Sequence, residues 1–327
     1  MRKTLFLLSL LAAFWVSPLH ASDAVEDRML ALVPELARSI EQGTTAEVLK
    51  SEAGSLADRA SESWLTNLLS TRQGVTEISI TGITSSEPVW SFMFLRPVTE
   101  SRDLRDNTFI QSSLFREGGR TTFNLGYGYR RMVCDEKVLL GTNIFFDHEF
   151  PYDHQRMSVG GELRTTVGEI NTNLYRALTK WKDVGGNMEE RALGGYDAEV
   201  ALAVPYIPSA HMRFKHFCWN GEDNIEDVKG NTFSLTGSLY EGLSVEAGYT
   251  DYNSGNNEGR SFERFLTLAY NFSFGGNDVN RATKPHTIST PYTFESMVDR
   301  RFEKVRRENR IMKARRNASF NVTVTGF

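Results

Sequence analysis

The sequence lacks several things that most membrane proteins and enzymes need. Beyond its first residues, the 327-residue chain has no apolar run approaching the ~20 residues of a spanning helix. A membrane protein of this sequence must therefore be a closed barrel, because only helices and closed barrels satisfy their backbone groups in lipid. Cysteine is scarce, limited to Cys134 and Cys218, and offers no metal-ligand spacing. The formal net charge is only −4, which argues against bulk nucleic-acid binding. There is no phosphate-cradling glycine loop, and no serine sits in a nucleophile context. No cofactor, catalytic residue or metal ligand set is expected, and the chain is not read as an enzyme.

What is present begins with an export signal. Arg2 and Lys3 precede an apolar run from Leu5 to Val16, and Ser17–Ala21 ends in a small residue suited to cleavage. Residues 1–21 are read as a signal peptide. Residues 22–71 are read as a helical periplasmic lead-in. Val25, Met29, Leu30, Val33, Leu36 and Ile40 fall near helical spacing, and Leu56, Ala60, Trp64, Leu65 and Leu68 repeat it.

From Gly74 the period changes to two. In Arg120–Arg131, Thr121, Phe123, Leu125, Tyr127 and Tyr129 share one face, and Thr122, Asn124, Gly126, Gly128 and Arg130 share the other. That is a strand with lipid on one side and a wet lumen on the other. The pattern recurs over 138–147, 157–164, 170–175, 196–203, 243–250 and 263–274, more weakly over 74–81, 89–96, 107–115, 209–218 and 231–240. The fold class is an all-β membrane protein: about twelve antiparallel strands closing a transmembrane barrel over 72–275. Asp147, Glu162, Asp197, Glu199, Glu246 and Glu263 fall on the lumen face.

With both barrel ends in the periplasm, the turns on that side (97–106, 132–136, 165–169, 204–208, 241–242) are mostly short. The opposite loops (147–156, 179–192, 219–230, 251–261) are mostly longer and more polar, the asymmetry of an outer-membrane barrel. A soluble all-β protein remains the alternative. The same assignment puts the two cysteines on opposite sides of a ~25 Å apolar band, too far apart for a disulfide, so both thiols are expected to be unpaired.

Residues 276–316 break the strand rhythm. Residues 293–307 read as helical, and Arg300–Arg316 holds nine Lys or Arg and two Glu. A solvated helix face or flexible tail is one reading. A basic segment inside an acidic lumen is the other, because it gains charge pairing at reduced dielectric. In the second reading Arg300, Arg301, Lys304, Arg306, Arg307, Asn309 and Arg310 lie inside that lumen; the resemblance given next implies that they belong to a pore helix and linker. Ser319–Gly326 alternates again, as one strand without a partner.

Several segments resemble the β-domain of the intimin/invasin family, the inverse autotransporters. They are Arg120–Arg131, Leu140–Arg156, Glu162–Arg164, Tyr175 and Arg176 with Trp181–Asp183, and Gly195–Asp197 with Pro205–Pro208. The resemblance covers about residues 60–316. It implies a twelve-stranded barrel in the bacterial outer membrane with its N-terminus in the periplasm. It implies a segment that plugs the pore as a helix, threads outward and displays an adhesive passenger, with Met297–Arg300 and Val305–Ile311 in that segment. The implied partners are outer-membrane lipid, the barrel-assembly machinery, periplasmic chaperones and a host-cell or surface ligand. Residues 317–327 then read as a passenger stump, and residues 23–60 as too short for the peptidoglycan-binding module of long members.

Two other functions stay open: a plain outer-membrane pore or structural protein, and an outer-membrane hydrolase using a loop histidine. His148 and His154 lie near Asp147, Glu149 and Asp153, a cluster with the chemistry to hold a cation or simply to shape a solvated loop.

Overall fold

The computed structural model describes residues 74–82, 88–223, 225–254, 262–274, 287–317 and 322–325. The signal peptide and helical lead-in expected over 1–71 lie outside the described residues.

Twelve strands close a barrel. They are β1 (Gly74–Thr81), β2 (Val89–Glu100), β3 (Asp106–Glu117), β4 (Arg120–Val133), β5 (Val138–Phe150), β6 (His154–Arg164), β7 (Gly168–Ala177), β10 (Gly195–Val204), β11 (Ile207–Trp219), β12 (Val228–Tyr240), β13 (Leu243–Ser254) and β14 (Phe262–Phe274). Each pairs antiparallel with its neighbours, and β1 closes on β14 with Gly74 opposite Phe274 and Thr81 opposite Thr267. Closure leaves no edge strand for lipid to meet. A second, four-stranded sheet comprises β8 (Lys182–Gly185), β9 (Met188–Ala192), β15 (Lys313–Asn317) and β16 (Val322–Thr325), in the order β16–β15–β9–β8.

The barrel is polar inside and apolar outside. Val159, Leu174, Leu202, Met212, Leu235 and Tyr270 are exposed, while Asn124, Arg130, Asp147, Arg156, Glu162 and Arg164 are buried. In water this arrangement would be unstable; lipid outside and paired charges inside make it the stable one. Phe214, Phe233, Tyr249 and Phe262 form a line of rings across four outward-facing strands, with centroids 4.9, 5.3 and 5.1 Å apart.

The two rims differ. One carries the connections 101–105, 134–137, 165–167, 205–206 and 241–242, together with the start of β1 and the end of β14. We call it the short-turn rim. The long-loop rim carries 82–88, 178–194, 220–227 and 255–261, but also two tight turns, 118–119 and 151–153. Gly118 and Gly119 both have positive φ, which permits the two-residue hairpin. So β5 and β6 run further than their apolar alternation predicts. The 179–192 region is not a plain loop either, because it folds into the β8–β9 hairpin.

The helix expected over 293–307 is not formed. A 3₁₀ turn, Val298–Arg300, and a further turn at 301–302 are followed by a non-helical chain up to β15. Twelve residues, 301–312, reach roughly 40 Å when extended but only about 18 Å as a helix, less than the ~25 Å band to be crossed. Val322–Thr325 is not partnerless: it pairs with β15 from Lys313 opposite Thr325 to Arg316 opposite Val322. The described cysteines are free, with Cys134 exposed in the β4–β5 turn and Cys218 buried at the long-loop end of β11.

Candidate functional site: the occupied lumen

The segment after β14 enters at the short-turn rim. Ile288 N–H donates to the Tyr206 carbonyl (3.1 Å), the Thr166 hydroxyl to the Thr293 carbonyl (2.8 Å), and Met297 N–H to the Glu136 carbonyl (2.7 Å). Met297 is buried against Met132 and Leu139. Further in, Phe302 and Val305 join Val75, Met93, Leu95, Phe109 and Phe145 in a small apolar cluster inside the lumen. Gly126 and Gly128 make room for it: a Cβ on either would lie 2.3 Å from the Phe145 ring or 2.2 Å from the Phe109 ring.

Beyond Arg300, barrel side chains replace the hydrogen bonds a helix would have made. Arg130 donates to the carbonyl of Arg301 (2.6 Å), Arg164 to Lys304 (2.8 Å), Asn173 to Arg306 (3.0 Å), Arg156 to Glu308 (2.7 Å) and Asn124 to Asn309 (3.1 Å). The N–H groups of Val305 and Glu308 donate to Gln111 Oε1 and the Tyr175 hydroxyl, each at 2.8 Å. Buried backbone groups must be partnered; here the wall supplies the partners.

The basic side chains meet wall carboxylates in sequence order. Arg300 pairs with Glu169 (2.6 Å) and with Glu303 of its own segment (2.6 Å), and Arg301 pairs with Glu100 (2.8 Å). Lys304 pairs with Glu77 (2.6 Å), Arg306 with Glu199 and Glu246 (both 3.1 Å), and Arg307 with Asp147 (2.7 Å). Arg310 pairs with Glu117 (3.0 Å), and Asn309 Oδ1 accepts from Arg307 (3.1 Å). Of the six lumen acids named from sequence, Asp147, Glu199 and Glu246 thus touch the segment. The others touch the wall: Glu162 pairs with Arg130 (2.7 Å), Asp197 accepts from Asn173 and Tyr175 (2.7 Å each), and Glu263 accepts from Tyr252 (3.1 Å). Glu77, Glu100, Glu117 and Glu169 were missed. Glu169 shares the inward parity of Asn171 and Asn173, and Glu77 opposes the parity of Ile78 and Ile80, so alternation would have placed both. Beside the segment at the short-turn rim a cavity of about 510 Å³ remains, lined by Glu77, His211, Arg213 and Glu246 among others.

At the long-loop rim the segment emerges as β15 and pairs with β9 from Lys313 opposite Ala192 to Asn317 opposite Met188. Lys313 pairs with Glu149 (2.5 Å), Arg315 with Glu190 (2.7 Å) and Arg316 with Glu189 (2.7 Å). Burial pushes the Glu190 carboxyl up, but His154, Arg120 and Arg315 around it outweigh that and hold it well below the usual carboxylate range. Glu149, His154 and Glu190 bring ligand atoms within 4.8 Å of one another. Arg120 bridges both carboxylates at 2.9 and 2.7 Å, so protein cations already balance the charge of that trio.

Fold and site together define a class: an outer-membrane β-barrel whose own chain, after its last barrel strand, runs through the lumen from one rim to the other. The comparisons agree with the barrel. The chain belongs to the inverse autotransporter β-domain family, whose model matches residues 29–309. It is 23% identical over 324 residues to the inverse autotransporter adhesin YeeJ of Escherichia coli K12, covering 94% of this chain but 13% of that protein. It is 23% identical over 229 residues to intimin of Escherichia coli O127:H6, covering 68% of this chain and 23% of intimin. The chain spans under a quarter of either relative. A solved structure from a study of in-meso crystallisation of membrane proteins superposes with a TM-score of 0.62 at 19% identity, covering 75% of this chain and all of that one; it supports the fold alone.

Proposed function

We propose that this chain is an export and anchoring unit. The barrel sits in the outer membrane with its short-turn rim and N-terminus toward the periplasm. Residues 301–312 mark the route along which the following chain leaves the cell, and that chain presents an adhesive surface outside. Barrel-assembly machinery and periplasmic chaperones deliver the barrel; a host-cell or surface ligand engages what is displayed.

One observation carries the reading. The five carbonyls of Arg301, Lys304, Arg306, Glu308 and Asn309 are each held by a different wall side chain. A wall that offers donors to backbone carbonyls along its height is built around a polypeptide, whereas a solute pore needs only polar lining. The chemistry of the basic side chains adds selectivity, since guanidinium–carboxylate pairs fix geometry as well as charge.

The test is topological. A short epitope is placed after Phe327, and another in the 241–242 turn. Intact cells are labelled with an impermeant antibody. The reading requires that the terminal epitope be reached and the turn epitope be reached only after the outer membrane is opened. A terminal epitope silent on intact cells, with a control epitope in 220–227 exposed, overturns it.

A further inference from the structure

The β8–β9 hairpin has no part in closing the barrel. β7 and β10, the strands on either side of it, pair directly with each other from Gly195 opposite Tyr175 to Leu202 opposite Gly168. The hairpin belongs to the connection between them, and it stands at the mouth where the threaded segment emerges. Its β9 strand has two edges. β8 takes one and β15 takes the other. Without β15, that second edge would offer unpaired backbone groups at the exit, a template for any extended chain passing it.

The edge is coded on both faces. On one face of β15, Lys313 and Arg315 meet Glu149 and Glu190. On the other, Ala314 enters an apolar cluster with Leu193, Tyr175, Phe217, Trp219 and Met312. Arg316 continues that second face, lying over the Trp181 ring with its charge 4.2 Å from the centroid and paired with Glu189. Leu193 N–H caps the ladder by donating to the Met312 carbonyl (2.7 Å). A slip of one residue would turn the basic face to the apolar cluster and Ala314 to the carboxylates, so only one register is stable. The family match ends at residue 309, before β15 begins.

We infer that the β8–β9 hairpin is a capture site for an extended basic strand of the exported chain, and that docking of residues 313–317 sets how far the chain is drawn through the barrel. The inference rests on the threading direction proposed above. A chain moving outward stays mobile until Lys313, Ala314, Arg315 and Arg316 reach the hairpin together. Strand pairing and three facing ion pairs then form at once, outside the lumen, where they oppose backsliding.

The experiment uses the full chain with the terminal epitope. Amide hydrogen exchange at 313–317 is measured in the purified protein, and epitope labelling on intact cells. Glu189→Lys with Glu190→Lys places like charges opposite Arg316 and Arg315. Exchange at 313–317 should accelerate at least about tenfold, with the epitope still reached. Because Glu190 also meets Arg120, a second variant, Arg315→Glu with Arg316→Glu, leaves the barrel wall untouched and should have the same effect. Combining the two variants should return much of the protection. Unchanged exchange in both variants, with the epitope reached, overturns capture alone, as does a combined variant no better protected than either parent. An epitope never reached in the native chain overturns the threading direction and capture with it.

Discussion

Asp147 is the point at which the account is most exposed to measurement. Its side chain has no exposure and accepts from Arg156 Nε (2.9 Å), Arg307 Nη1 (2.9 Å), Arg307 Nη2 (2.7 Å) and Asn124 Nδ2 (2.7 Å). Asp147→Asn keeps the size and removes the charge. Two buried guanidiniums then share one neutral amide. Removing one partner of a buried pair costs about 3–5 kcal/mol, because the remaining charge is left uncompensated. Arg307 keeps its Ser158 bond and Arg156 its Tyr175 stacking, which favours the lower end. Glu117→Gln is the control. Its partner Arg310 is also in the segment, at 3.0 Å, but the two side chains are 31% and 29% exposed, so the loss should stay below about 1 kcal/mol. Urea unfolding in detergent micelles, followed by the heat-modifiable band on gels, reads both. A drop of 3 kcal/mol is more than a hundredfold in the folding equilibrium. If Asp147→Asn falls within 1 kcal/mol of the native chain, or matches Glu117→Gln, Arg307 is not buried against Asp147 and the register of the segment is wrong.

Other outcomes follow from the same geometry. Gly126→Val or Gly128→Val drives a side chain into the Phe145 or Phe109 ring and should cost about 1–3 kcal/mol in the same unfolding assay, with Thr121→Val at the outward-facing position nearly neutral. Glu190 has its carboxyl lowered in the folded state, so its contribution is fully present above the unfolded value near 4.3 and fades as pH falls toward the folded value. Exchange protection at 313–317, referenced to intrinsic rates, should hold from pH 7 to 5 and weaken below about 4; weakening that begins at pH 6 would assign the exit to a different group. Cys134 is exposed and Cys218 buried, so a thiol reagent followed by mass spectrometry should modify Cys134 in the folded protein and Cys218 only on unfolding.

The barrel was legible because lipid and lumen impose opposite demands on alternate residues, so Phe123, Leu125 and Tyr127 could not share a face with Asn124 and Arg130. The signal stopped where lipid stops. Glu149 and His154 lie past the apolar band at the rim, with no alternation to extend β5 and β6 to them. The helix expected over 293–307 failed for a different reason. Helical spacing in that stretch is local, whereas the donors that hold the chain extended, Arg130, Arg156 and Arg164, come from strands well over a hundred residues earlier. The exit sheet was illegible for the same cause. Lys313–Asn317 carries no apolar alternation, and its partner is a short polar strand, Met188–Ala192, so neither reads as β alone. Of the lumen acids, Glu169 and Glu77 were legible from strand parity but were passed over, because they lie at or beyond the margins of the alternating stretches. Glu100 and Glu117, at strand ends, lay where parity is weakest.

The central claim is that the segment 301–312 runs through the lumen from rim to rim and blocks it. Planar-bilayer recording of the purified full chain tests it most directly. The account predicts a closed barrel, with conductance far below that of an open twelve-stranded pore and at most brief openings, which Asp147→Asn makes more frequent. A large, steady conductance from the native full chain would contradict it.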